Sequence, residues 1–368
     1  MRIVKKPISL AEFYKNNFEA IKAFLSKTYD EFVPTNLLKK IKIRFGIWLG
    51  ALILGIFLIA LVYIIPGASS NDTAAMALYV SSVICFIVMG ILIMLNVLSK
   101  RKALIKIQGS IKRETLFTDA LKTIGYHLFR SSNLTGEKEI DKEKLQIAIN
   151  GNNLLGNPVK NFINYTKGLG GIPSDAKIIN RGELFSIVDE YNNPWYMMQV
   201  TFHWVRTTTD SKGNTVVHEY KKDVLALEGS YQNVHKDDNF AFSMGSRTLL
   251  NLSHKANITL ENKKINKLFS IYSDDEIKIR KVFTPYSMEV LLEHYEQNKP
   301  NNLGSFGLTY KNNVFKAWAI PKGAILEVDA PKSFKKNKLI DSIARDILND
   351  TYAIYWIISF INSTPVFY

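Results

Sequence analysis

Two uncharged stretches within the first hundred residues constrain this chain more than any other feature. Residues 45–65, "FGIWLGALILGIFLIALVYII", run for 21 positions without a charged side chain. At about 1.5 Å per residue, a helix of that length crosses the roughly 30 Å hydrocarbon layer of a bilayer. Residues 74–98 form a second run of 25, softened only by mild polars such as Ser81, Ser82 and Asn96. One such run could be a buried core helix, but two in tandem read as transmembrane spans. The first starts too late and is too long for a cleaved signal peptide. The connector "PGASSNDTA", from Pro66, is short and opens on a helix breaker. It forces an antiparallel hairpin, so both ends of the chain fall on one side.

Charge selects that side. Lys39, Lys40, Lys42 and Arg44 precede the first span, Lys100, Arg101, Lys102 and Lys106 follow the second, and the connector carries only Asp72. Cationic flanks mark the cytoplasmic face, which predicts cytoplasmic N- and C-termini in a multi-pass protein. Trp48 near the inner interface and Tyr63 near the outer one agree. The formal net charge is +14, of which residues 1–44 hold +6, 45–98 hold −1 and 99–368 hold +9. Much of this basicity flanks the spans, and the rest is spread without an Arg-rich or RNA-reading motif. Nucleic acid is therefore not an expected partner. The basic cluster Lys100, Arg101, Lys102, Lys106, Lys112 and Arg113 would sit at the anionic inner leaflet. Topological anchoring and specific anionic-lipid contact both account for it.

Residues 1–44 form a cytosolic amphipathic helix and a pre-membrane segment. Ser9 and Glu12 make an S-x-x-E capping box, and Leu10, Phe13, Tyr14, Ile21, Phe24 and Leu25 recur at helical spacing until Pro34. That helix either packs on the cytosolic domain or lies on the bilayer; Glu12, Glu19, Asp30 and Glu31 dilute its basic face and favour packing. Within the hairpin, residues 45–98, Gly46, Gly50, Ala51 and Gly55 and the row Ala77, Ser81, Cys85 permit close helix approach. Packing of the hairpin on itself explains them most simply, with homo-oligomerisation second. No Asp, Glu, Lys, Arg or His lies inside either span, which argues against a transporter. Residues 99–144 continue as a basic juxtamembrane helical region.

From residue 145 to 368 the texture becomes that of a cytosolic α+β domain with antiparallel hairpins. "WYMMQVTFHWVRTT", a "TDSKGN" turn and "TVVHEYKKDVLALEG" predict one long hairpin, and "FGLTYKNNVFKAWAIP" predicts another turning at Asn312 and Asn313. The terminal "TYAIYWIISFI" is too short to span and is expected to dock on the domain.

Chemistry is harder to find. His203 and His218 occupy opposing strands of the long hairpin and could approach diagonally, but two histidines without a third ligand make a weak metal site. "KGLGGIP" at 167–173 lacks the residues that cradle phosphate, and no GxSxG, HExxH or GxGxxG occurs. The lone Cys85 excludes an intrachain disulfide, and its place within a span excludes thiol catalysis in practice. Asp274, Asp275 and Glu276 in "FSIYSDDEIKIRKVFTP" are the most site-like acids, yet Ser273–Glu276 also fits a capping box that begins a helix. Thr284-Pro285 then starts a second helix with Met288, Leu291, Leu292 and Tyr295 as its apolar stripe. No metal or cofactor is expected.

At these residues the chain resembles a bacterial two-span membrane family called domain of unknown function thirty-one thirty-seven. The residues that carry the likeness are "TTTDSKGN", "KLFSIYSDDEIKIRKVFTPYSMEVLLEHY" and "FGLTYKNNVFKAWAIP" with the helix that ends the chain, and the likeness extends over nearly the whole sequence. It implies an N-terminal helix, two spans, a cytosolic α+β domain, a bacterial plasma membrane and a LemA-like membrane protein as partner. It supplies no catalytic residues. The expectation is a binding or scaffolding module on the membrane, with a membrane-tethered enzyme lacking a sequence motif as the alternative. An exposed strand edge or apolar groove would favour the first, and a pocket of converging titratable groups the second.

Overall fold

The computed structural model describes residues 6–64, 72–113, 116–130, 142–155, 172–231, 240–246, 258–328 and 333–363. They divide into two compact units, one from Met1–Ala20, Thr115–Asp329 and Ile343–Tyr368, the other from Ile21–Glu114 and Ala330–Ser342.

The helical unit holds most of α1 (Leu10–Phe32), all of α2 (Thr35–Ile64) and α3 (Asp72–Arg113), and the first turns of α9 (Lys336–Asn362). α2 and α3 are both long and apolar enough to cross a membrane, and few of their apolar side chains are buried, more than half standing exposed. They pack on each other through small and polar groups. Gly55 lies so close to α3 that an added Cβ would be 3.2 Å from the Phe86 ring and 3.4 Å from Cys85. Ser82 Oγ donates to the Gly55 carbonyl at 3.0 Å, and Arg44 donates to Ser99 Oγ at 3.1 Å. Self-packing explains only part of the small-residue pattern. Gly46 and Gly50 have open space where a Cβ would stand, and buried Ser82 rather than exposed Ser81 faces α2. The helical period sets this: Ser82 and Phe86, four apart, share a face that Ser81 misses. In the same unit Tyr29 packs on Phe334, Lys22 pairs with Asp341 at 3.2 Å and Lys336 with Asp30 at 2.6 Å.

The other unit is an antiparallel sheet domain. Among the described residues its nine strands are β1 (His127–Arg130), β2 (Lys177–Arg181), β3 (Phe185–Val188), β4 (Pro194–Thr209), β5 (Thr215–Ser230), β6 (Phe242–Ser246), β7 (Phe269–Ser273), β8 (Leu303–Lys311) and β9 (Val314–Pro321). The order is β1-β3-β4-β5-β9-β8-β6-β7, with β2 also paired to β4. β1 lies upstream of residue 145, so the sheet recruits a strand from the region expected to be juxtamembrane. Helices α4 (Leu116–Lys122), α5 (Lys142–Leu155), α6 (Lys263–Leu268), α7 (Glu276–Val282) and α8 (Pro285–Asn298) complete it.

Side chains on one sheet face, including Phe306 and Phe269, pack on Trp356 and Phe360 of α9. Residues 351–361 of α9 are buried on every side, as a helix segment apolar nearly all round is in a core. On the opposite face, Tyr196 Oη donates to the Ala148 carbonyl of α5. Two cross-strand glycines seat indole rings: Gly229 opposite Trp195 and Gly307 opposite Trp318. A Cβ on either would stand 2.4 Å and 2.6 Å from those rings. The start of α1 packs on this domain, with Phe13 fully buried 5.4 Å from the Tyr352 ring and Tyr14 Oη donating to Asn349 at 2.9 Å.

Candidate functional site

The long hairpin leaves the sheet as a two-stranded arm. β4 and β5 pair without a slip from Trp195↔Gly229 to Thr209↔Thr215, but their outer neighbours stop early. β2 covers β4 only through His203, and β9 covers β5 only over 225–230. Among the described residues, 204–209 and 215–224 therefore have no partner strand on their outer edges. Positions 205–221 are also exposed on both faces, with Val205, Val216, Val217 and Tyr220 each at least 41% accessible. A long strand edge of this kind, rich in β-branched residues, is a template for another strand.

Local chemistry keeps the arm extended. At its tip, Asp210 accepts from the amides of Lys212 (2.9 Å) and Asn214 (2.8 Å) and from Asn214 Nδ2 (2.9 Å), which holds its carboxyl below the usual range. Gly213 takes φ +84°, which a side chain would resist. At its base, Trp204 stacks on Tyr220 with ring centroids 5.5 Å apart. Arg206 donates twice to Asp175, at 2.8 and 2.9 Å, and holds that carboxyl down at about 2.

His203 and His218 do not come together. His203 faces Lys221 and His218 faces Arg206, and the three-residue offset along β4 sends their side chains to opposite faces. His203 lies 3.7 Å from Glu219, and His218 3.0 Å from Thr208 Oγ1. Among the described residues, no three His, Cys, Asp or Glu side chains could hold a metal ion.

The acids at 274–276 begin a helix, with the cap two residues later than the S-x-x-E pattern predicts. Pairing of Ser273 with Phe242 keeps the backbone extended through β7. Asp275 then becomes the cap, accepting from the amides of Ile277 (3.0 Å) and Lys278 (2.9 Å). Ser273 Oγ instead accepts from the Asp275 amide, Asp274 accepts from the Ala241 amide, and Glu276 pairs with Arg280. Thr284 caps α8 with Pro285 in its first turn, as its sequence predicts.

Three buried polar groups escaped the sequence reading. Asp189 is fully buried and accepts five N–H bonds: from the Tyr191 and Asn193 amides, Asn193 Nδ2, Trp195 Nε1 and Asn362 Nδ2. Burial raises its pKa, and those donors oppose the rise. The stretch "DEYNNPW" signals the turn it organises, but nothing local announces the partner at Asn362. His294 lies in α8 with Nε2 3.0 Å from Ser359 Oγ, and burial lowers its pKa to about 3. Both residues are inside the core, where Trp356 stacks on the imidazole, so a substrate has no access. Glu228, buried on β5, lies 3.7 Å from Lys316; burial raises its pKa, and that lysine opposes it. These are structural positions.

Of the basic cluster on α3, Arg101, Lys102 and Lys106 are exposed and Lys100 is half-buried, while Ala103 and Ile107 are buried. The side chains of Lys112 and Arg113 lie outside the described residues, as do 167–171 of the glycine loop.

No curated protein matches the chain, and no solved structure matches it. Residues 201–361, from the arm through the buried part of α9, match the model of a family described as "Protein of unknown function (DUF3137)".

Proposed function

We propose that this chain is a two-span protein of a bacterial plasma membrane whose cytoplasmic sheet domain is a binding or scaffolding module. The observation that carries the binding role is the β4–β5 arm, exposed on both faces and unpaired on both edges among the described residues. Supporting the membrane role, α2 and α3 carry apolar surface that water would penalise at about 25 cal/mol per Å². Lysines and arginines flank those helices at one end only, which orients both termini to the cytoplasm. Exposed Arg101, Lys102 and Lys106 then suit the anionic leaflet.

The likeness to the uncharacterised family, matched over residues 201–361, makes a LemA-like membrane protein the first partner to seek. The test is affinity capture from native membranes with the full chain and with its Val216→Lys/Val217→Lys variant. Both valines are exposed, and edge lysines oppose strand pairing without disturbing a core. The variant is expected to lose at least tenfold of the co-purifying protein. Equal recovery from both chains would overturn the arm as the element that binds that protein.

A further inference from the structure

We propose that the arm binds a second copy of this chain, β5 edge to β5 edge, antiparallel, about a two-fold axis at His218. The inference rests on the reading of the sheet domain as a binding module and names its partner. Two identical antiparallel strands pair only in registers that set one residue opposite its own copy, because edge-facing amides and carbonyls recur every second residue. β9 limits the choice. Its Ala319 faces Leu225, and the strand continues through Pro321, so a copy cannot slide far beyond Lys222 without meeting it. Centring on Glu219 would oppose two carboxylates at the axis and carry Thr215 to Asp223, beside the end of β9. Centring on Tyr220 would carry Thr215 onto Leu225, the position β9 already occupies.

The longest register clear of β9 is centred on His218 and pairs 215–221 of one copy with 221–215 of the other. Val216 then meets Tyr220 twice, an apolar–aromatic cross-strand pair that favours strand association. Val217 meets Glu219 and Thr215 meets Lys221, so no lysine or carboxylate directly opposes its like. The charge of the arm suits the same occupant. Arg206, Lys212 and Lys221 against Asp210 and Glu219 leave residues 204–221 at +1, in a chain of +14. Two arms therefore meet with little repulsion. Since β4 already holds β5 extended, pairing orders little additional backbone.

The test uses the full chain in native membranes with Cys85→Ser, the only native thiol removed. Single cysteines are placed on the arm and treated with a short bis-maleimide. His218→Cys alone is expected to give a covalent dimer, at least tenfold above the exposed helix control Lys263→Cys. Thr215→Cys and Lys221→Cys are expected to crosslink efficiently only when the two variants are co-expressed. Adding Val216→Lys/Val217→Lys should abolish each product while leaving circular dichroism unchanged. Dimer yields at His218→Cys no higher than the control would overturn the proposal. If that occurs while the lysine pair still abolishes capture of a different protein, the arm docks that protein and the binding reading stands. If the lysine pair changes neither result, both readings fall.

Discussion

His294 shows how one residue acquires a property from its surroundings. It lies on a helix whose apolar stripe is plain in the sequence, but its burial against Trp356 and Ser359 comes from α9, more than sixty residues away. The imidazole stays uncharged in the folded protein, with its pKa lowered to about 3 from 6.5. The unfolded chain therefore binds the extra proton first, and stability falls as pH drops from about 6.5 toward 3. Between pH 7.5 and 5.0 this single group is expected to cost ~2 kcal/mol, from 1.36 kcal/mol per pKa unit. Denaturation midpoints at the two pH values should show the loss, and His294→Phe should shrink it. A variant with unchanged acid sensitivity would show that another group is responsible. The 274–276 acids teach the complementary lesson. Their role at a helix start was legible, but the cap fell on Asp275 because strand pairing by Ser273 held the backbone extended.

At the scale of elements, the two hairpins are the most legible part of the fold. Alternating patterns, the Asp210–Asn214 turn and the paired positive φ of Asn312 and Asn313 are local signals that the structure uses directly. Glycine in mid-strand is also visible in sequence, but its purpose is not. Gly229 makes room for the Trp195 ring across the ladder, so Gly229→Ala is expected to destabilise the sheet by about 1–3 kcal/mol through overpacking. A chemical-denaturation midpoint lowered together with altered Trp fluorescence would verify this; an unchanged midpoint would refute it. β1 was not legible, since a four-residue strand at His127–Arg130 carries no pattern of its own and exists because β3 pairs with it. The open edges of the arm follow from where β2 and β9 stop, a property of neighbours.

At the scale of the whole molecule, the two long apolar helices and the basic residues at their ends make topology the property most open to test. A reporter active only in the cytoplasm, fused after Tyr368, should be active. A reporter requiring export, inserted within 66–71, should be active there. Reversal of both results would invert the proposed orientation. By itself the sequence determined the two apolar helices, the hairpins and the helix starts, because each is encoded by hydrophobic period, charge or turn chemistry within a few tens of residues. Only the tertiary structure decided that His203 and His218 face apart, that Asp189 meets Asn362, and that the arm outruns its neighbours. Each of those outcomes depends on strand register or on contacts between segments distant in sequence, and no local signal specifies where two distant segments will stop touching.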